Sequence, residues 1–217
     1  MYAQAWFPLS SGVFDDASRQ ILFGDSREAC YDKHENTIRK DGIFMNETLK
    51  TLQERRSVRR YSKQQVDEAA LNAILEAGTW APSGMGTQAS VLVAVQDPET
   101  IALMSRLNAQ IMGQSGTDPF YGAPTVVVVL ADGENPNWLK DGSLVMGNLM
   151  NAAASLGVAS CWINRATELF DLPEGRELLA KWGLPATMRG VGNCILGYAD
   201  GPVPAPKPRK PGRILRV

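Results

Sequence analysis

From residue 45 onward the apolar and polar positions fall into blocks whose period switches between that of a helix and that of a strand. Residues 66–77 place Val66, Ala70, Ala73, Ile74 and Ala77 on one side and Glu68, Asn72 and Glu76 on the other, an amphipathic helix that Gly78 is expected to end. Residues 90–96 (SVLVAVQ) form a short valine-rich strand, stopped by Asp97-Pro98 before a helix over 99–112. Residues 125–130 (TVVVVL) are apolar on both faces, the mark of a central strand covered on two sides. A long helix follows over 138–156. Its polar stripe is narrow (Lys140, Asn148, Asn151, Ser155) against Leu139, Met146, Leu149, Met150 and Ala153, so it is expected to be buried on most sides, in the core or against a second subunit. Residues 157–163 read as a strand, 174–182 as a short helix and 191–198 as a last strand. With a first helix opening after Met45-Asn46, where Asn46 is a candidate N-cap, the order is α α β α β α β α β.

Residues 1–44 read differently. Isolated aromatics (Trp6, Phe7, Phe14, Phe23, Tyr31, Phe44) stand among polar residues with no sustained period of 2 or 3.6. They read as an N-terminal extension, disordered or non-native, ahead of a single domain over 45–217; an ordered arm wrapping a partner subunit is the alternative. At the other end, the stretch from Gly201 (GPVPAPKPRKPGR) is proline-rich and should run extended over the surface.

Charge and composition narrow the chemistry. Lys and Arg total 22 against 23 Asp and Glu, for a net charge of -1, so no general attraction to nucleic acid is expected. No apolar run approaches the 18 or so residues of a membrane span, and the start lacks a basic region followed by an apolar core and a cleavage site. The single histidine, His34, lies in the N-terminal stretch, which argues against Ser-His-Asp or Cys-His hydrolysis and against histidine-ligated zinc. Cys30, Cys161 and Cys194 are odd in number and include no CxxC pair, so neither a metal ribbon nor a disulfide framework is indicated and a reducing cytoplasm is the default setting. Cys161 and Cys194, each in an apolar strand, read as small buried hydrophobes. An enzyme made from such a chain needs a bound cofactor to carry its chemistry.

Three segments offer ligand contacts. Residues 55–61 (RRSVRRY) put four arginines and a serine in six positions, a fork of charge-assisted donors for a phosphate, and equally a solvated basic helix end that suits the helix dipole. Residues 81–88 (APSGMGTQ) form a loop in which two glycines let backbone approach a flat ligand and Ser83, Thr87 and Gln88 offer hydrogen bonds, although an ordinary connecting loop reads much the same. Residues 204–210 (PAPKPRK) present three cations on stiff backbone, suited to one small anion. A GxGxxG after a strand, a GxxxxGK[ST] loop and a GxSxG elbow are absent, which disfavours a Rossmann dinucleotide site and a P-loop.

Taken in order, these segments resemble the nitroreductase family of FMN-dependent oxidoreductases. RRSVRRY resembles the family's arginine-serine signature, APSGMGTQ its [SA]-P-S-x-x-N-x-Q loop and YGAPTVVVVLAD its APxxIVV strand. DGSLVMGNLMNAAASLGVASCWINRA is similar to its central helix, following strand and flavin-edge turn, and GNCILGYADGPVPAPKPRK to its last strand and basic tail. The resemblance implies an α+β, three-layer fold, with a central mixed, mainly antiparallel sheet flanked by helices, assembled as an obligate homodimer. It implies that Arg55, Arg56, Ser57 and Arg59 contact the phosphate and ribityl chain of FMN and that Lys207 and Arg209 close over the same phosphate. It places Pro82, Ser83 and Gly84 from the partner subunit near the isoalloxazine ring, Asn108 on its pyrimidine edge, and Ile163, Asn164 and Arg165 along the N5 side.

The implied reaction is a ping-pong cycle in which NADH or NADPH gives hydride to flavin N5 and a nitroaromatic, quinone or similar small acceptor then takes the electrons. No side chain is assigned as catalytic and no metal is implied. Other uses of the same fold are a specialised flavoprotein, for dehalogenation or flavin fragmentation, and a non-catalytic flavin-binding dimer. Two departures fall in the loop that faces the ring: Gly86 stands where the family often has asparagine and Ala89 where it commonly has proline.

Overall fold

The computed structural model describes residues 37–38 and 44–217, so the expectations for most of residues 1–44, His34 and Cys30 included, lie outside the described residues. The chain divides into a unit over residues 1–47 and a unit over residues 48–217. In the first, β1 (Thr37–Ile38) pairs antiparallel with β2 (Phe44–Met45), Thr37 opposite Met45.

The second unit contains α1 (Glu47–Glu54, opening at the boundary), α2 (Glu68–Thr79), β3 (Ser90–Val95), α3 (Pro98–Ile111), β4 (Thr125–Asp132), α4 (Trp138–Ser155), β5 (Ala159–Ile163), α5 (Ala166–Asp171), α6 (Pro173–Lys181) and β6 (Met188–Gly197). The sheet order is β3-β4-β6-β5 with every neighbouring pair antiparallel. One parallel bridge, Ser57 opposite Ser160, adds the segment after α1 to the outer edge of β5. The fold is α+β and three-layered, as the resemblance implies.

The valine run of β4 separates two cores. Val126, Val128 and Leu130 pack on one face with Met104 and Leu107 of α3 and with Leu169, Phe170, Leu178 and Leu179 of α5 and α6. Val127, Val129 and Ala131 pack on the other with Leu71 and Ile74 of α2 and Val145, Met146, Leu149 and Ala153 of α4. All six β4 residues have no exposed surface, so neither face of the strand can be left open. Cys161 and Cys194 are free and buried, one in each core, and Met146 is wholly buried.

Three details differ from the sequence reading. Gly78 does not end α2, which continues to Thr79; a Cβ there would lie 2.8 Å from Leu149 Cδ2 and 2.9 Å from Leu92 Cδ1, so glycine serves the close packing of α2 on α4 and β3. Residues 166–181 form two helices instead of one. Leu172 is held extended before Pro173 (ψ 155°), because a residue preceding proline is driven out of the helical region. The first, α5, has no side-chain cap to announce it and opens on Arg165, itself left-handed at φ 71°. β6 begins at Met188, three residues early, because Met188 and Arg189 continue the ladder opposite Asp132 and Ala131 despite the charge on Arg189.

The β4–β6 ladder slips between Val129 and Leu130, which face Gly192 and Gly190, so Val191 is the extra residue of a bulge. Val191 turns into the α4 side core, where a Cβ on Gly142 would meet its Cγ2 at 2.5 Å. Gly142 thus lets α4 descend onto the bulge. Gly142→Val is expected to destabilise the fold by about 1–3 kcal/mol through overpacking, read as a lower urea midpoint with an unchanged slope; an unchanged midpoint would show that the helix has room to lift.

Candidate functional site

The arginine segment lies beyond α1 and not on its end. The helix stops at Glu54 and the chain runs along the β5 edge, where the Val58 N–H donates to the Ser160 carbonyl at 3.0 Å. Tyr61 then bridges Ala199, the Ser62 N–H donates to the Tyr198 carbonyl at 2.9 Å, and the buried Tyr61 hydroxyl donates to the Val58 carbonyl at 2.8 Å. Burial, aided by Cys161 and Cys194, raises the Tyr61 pKa and keeps that hydroxyl a donor.

This path leaves Arg55, Arg56 and Ser57 half-buried at the sheet edge while Arg59 and Arg60 stand exposed. Arg56 Nη1 donates to the carbonyls of Gln53 at 2.7 Å and Arg55 at 2.6 Å, capping the carbonyl end of α1. Arg56 Nε and Arg55 Nη1, however, are shut away from water with no partner in the protein. A guanidinium nitrogen enclosed without an acceptor is costly even when the rest of its group is bonded or partly exposed. The oxygens of an anion are the acceptors that these atoms lack. The Arg55 charge also reaches Cys194, although burial, with Cys161, still pushes that thiol up to about 12, so Cys194 is no nucleophile at neutral pH.

β5 carries the same edge on to Ile163, Asn164 and Arg165. Ser160 and Ile163 are three residues apart, roughly 10 Å along a strand, so the arginine segment and this turn share one edge. Ile163 is buried, Asn164 is exposed and Arg165 takes the left-handed conformation. Trp162 is half-buried beside them, its indole against Gly192, where a Cβ would lie 2.7 Å from Nε1.

Asn108 has no exposed surface; its Nδ2 donates to the Asn164 carbonyl at 2.8 Å, and its Oδ1 has no partner in the protein. Pro82, Ser83 and Gly84 lie elsewhere, in the loop leading to β3, which is three strand spacings, roughly 14 Å, from β5. There the Ser83 hydroxyl accepts from the Gln88 N–H at 3.0 Å, and Pro82 and Ser83 line a cleft of about 590 Å³ under α2 and α4. Lys207 and Arg209 are exposed on the extended tail. That tail leaves Asp200, whose N–H donates to the Arg60 carbonyl at 3.0 Å and whose carboxylate meets Arg60 Nε at 2.9 Å, so it starts beside the arginine segment.

Sequence reasoning missed Asp141 and Asn193. Asp141, in the first turn of α4, is buried and accepts from the Gly84 N–H at 3.1 Å, tying the loop to the helix across 57 positions. An acidic residue in a first turn reads only as a partner of the helix dipole. Asn193, in the middle of apolar β6, is wholly buried with both side-chain amide atoms unpartnered. A lone polar residue in an apolar strand was the one available signal. A second cleft, about 930 Å³, opens between α3 and the loop before β4, with Lys63 and Arg106 at its wall.

Among the described residues no helix is long and apolar enough to cross a membrane, and no group of three or more His, Cys, Asp or Glu is placed to hold a metal ion. Fold and site together define a three-layer α+β domain with a cationic cradle on its edge strand. The model of the Nitroreductase family matches residues 52–202, and the chain belongs to that family of oxidoreductases. It is 31% identical over 159 residues, 71% of this chain and 86% of the other, to an Archaeoglobus fulgidus protein provisionally named NADH dehydrogenase/NAD(P)H nitroreductase. The FMN reductase (NAD(P)H) of Bacillus subtilis is 28% identical over 77% of this chain and 71% of its own. The crystal structure of a nitroreductase with bound FMN from Bacteroides fragilis superposes with a TM-score of 0.74 at 35% identity, covering 80% of this chain and all of the other.

Because the Tyr61 hydroxyl closes the turn that sets the arginine segment on β5, Tyr61→Phe leaves the Val58 carbonyl without that donor. Denaturant titration is expected to give a loss of about 1–2 kcal/mol; a loss below 0.5 kcal/mol would mean that water replaces the bond.

Proposed function

We propose that this protein is an FMN-dependent oxidoreductase that works as a homodimer, taking hydride from NADH or NADPH and passing it to a nitroaromatic, quinone or similar small acceptor, with donor and acceptor using the same space in turn. The observation that carries this reading is the pair of buried, unpartnered guanidinium atoms of Arg55 and Arg56 beside Ser57. A phosphate monoester supplies the charge and acceptors that they lack. The B. fragilis nitroreductase, at 35% identity, holds FMN, which supports the choice of ligand.

When bound, FMN supplies the two-electron carrier that no side chain of this chain provides. Arg55, Arg56, Ser57 and Arg59 hold its phosphate and ribityl chain. Lys207 and Arg209 close over the same phosphate from the exposed tail. The roughly 10 Å of β5 from Ser160 to Ile163 carries the site from phosphate to ring, which brings Ile163, Asn164 and Arg165 to the N5 side with backbone donors. Pro82, Ser83 and Gly84, a sheet's width away in the same chain, act at the site of the second subunit, where Gly86 leaves more room above the ring than an asparagine would. The exposed Leu139 and Leu144 on α4 support a subunit contact there. Free, buried Cys161 and Cys194 suit a cytoplasmic setting.

Purified protein is expected to be yellow, and NADH or NADPH added without oxygen to bleach the flavin band, the faster of the two naming the preferred donor. Colourless protein that takes up no added FMN overturns the proposal. Arg56→Ala combined with Arg209→Ala is expected to weaken FMN retention roughly 100-fold, from about 1.5 kcal/mol for each charge-assisted bond, measured by flavin fluorescence on dilution; undiminished retention would place the phosphate elsewhere.

A further inference from the structure

The geometry points to Asn108 as the positioning residue for the turn at 163–165: its buried amide fixes the Asn164 carbonyl and thereby aims the Arg165 N–H at the flavin edge. This rests on the flavin reading above. The Asn164 carbonyl and the Arg165 N–H belong to one planar trans peptide group, in which C=O and N–H point in opposite directions. Asn108 Nδ2 holds that oxygen at 2.8 Å from within the layer between α3 and the sheet, so the Arg165 N–H points away from α3.

The peptide needs such an anchor. Arg165 has φ 71° and ψ 18°, a left-handed conformation that costs a residue with a side chain about 1–2 kcal/mol and in which glycine is the usual occupant. With Asn164 exposed and Arg165 uncapped by any side chain of its own, the Asn108 bond is the one inward hydrogen bond described for the Asn164 carbonyl.

The layer behind the turn is built for polar work. Asn193 stands opposite Ile163 in the β5–β6 register. By strand alternation it shares the face of Ile195, which belongs to the α3 side core, whereas Cys194 and Leu196 face α2 and α4. Asn108 and Asn193 are both wholly buried. Asn108 Oδ1 lacks a donor and Asn193 Nδ2 lacks an acceptor. Two wholly buried asparagines with unpartnered amide atoms are expensive to keep without a task. The task assigned here is orientation: the amide dipole at the flavin edge is set by the scaffold and not left to a mobile loop.

Two variants test this in the full chain. Asn108→Leu removes the donor with little change of volume. Asn108→Asp keeps the shape and can donate only when protonated, and burial raises the pKa of a carboxyl in such a place. Asn108→Leu is expected to change the ratio of affinities for oxidised and reduced FMN at least tenfold, which is about 30 mV for a two-electron couple. In the FMN-free protein it should speed hydrogen exchange of the backbone at 164–166 at least tenfold while exchange in β4 stays as in the wild type. Asn108→Asp is expected to match the wild-type ratio at acid pH and to depart from it at alkaline pH, each compared with wild type at the same pH. A stability loss with an unchanged affinity ratio and unchanged exchange at 164–166 overturns the positioning role while leaving the flavin reading in place. If Asn108→Leu does not fold, an affinity ratio for Asn108→Asp that is the same as wild type at every pH overturns it. Wild-type protein that binds no FMN overturns both.

Discussion

The double burial of β4 is the constraint on which the other layers depend. Six consecutive residues, Val126 to Ala131, alternate between two cores and expose nothing, so helices must cover both faces of the sheet. Burying a valine or leucine side chain contributes about 1.5–3 kcal/mol, and β4 does so on both sides of one backbone. With β4 and β6 enclosed between helices and neighbouring strands, polar work is displaced to the rim. The outer side of β5 is where the arginine segment finds backbone partners, and the loop before β3 is where the glycine-rich contacts gather. Function sits where the valine-rich centre cannot extend.

At that rim the protein keeps an electrostatic imbalance. Arg56 spends one nitrogen on the Gln53 and Arg55 carbonyls at the end of α1, and Tyr61 and Val58 fix the backbone that follows, yet Arg55 Nη1 and Arg56 Nε remain out of reach of water and of protein acceptors. Nearby, Arg60 is matched by Asp200, an exposed pair that contributes little by itself but marks where the tail departs. The unmatched nitrogens and the matched neighbour lie on the same segment, two of its cations without an acceptor at one atom and one paired. Ligand uptake and folding stability are then linked, since whatever satisfies those nitrogens favours the folded chain.

How much of this was legible in the sequence depended on how local the cause was. β4 was plain because no polar residue interrupts it, and α3 because Asp97-Pro98 stands at its start, with the Asp97 side chain accepting from the Thr100 N–H. α5 was hidden because it has only six residues and opens on a left-handed arginine. Gly78 misled because a helix-ending glycine and a close-packing glycine look alike until Leu149 is seen against it. The arginine segment was recognisable as an anion-binding element, but its pairing with Ser160, more than a hundred positions away, was not. Asn108 shows the limit most clearly: its complete burial and its bond to the Asn164 carbonyl, fifty-six positions away, have no local signal in the sequence.

The strand order β3-β4-β6-β5 has a consequence in time. β5 touches the rest of the sheet only through β6, which follows it by some twenty-five positions and slots between two strands already synthesised. A ribosome that has released residues up to β5 has therefore produced a half-sheet with one unpaired valine-rich edge, and β5, on which the arginine segment lies, is not yet joined to it. Domains form as units during synthesis, and here the unit closes only once Gly197 has emerged. Until then the nascent chain carries an aggregation-prone edge, and the β5 rim beside the arginine segment is held by no neighbouring strand.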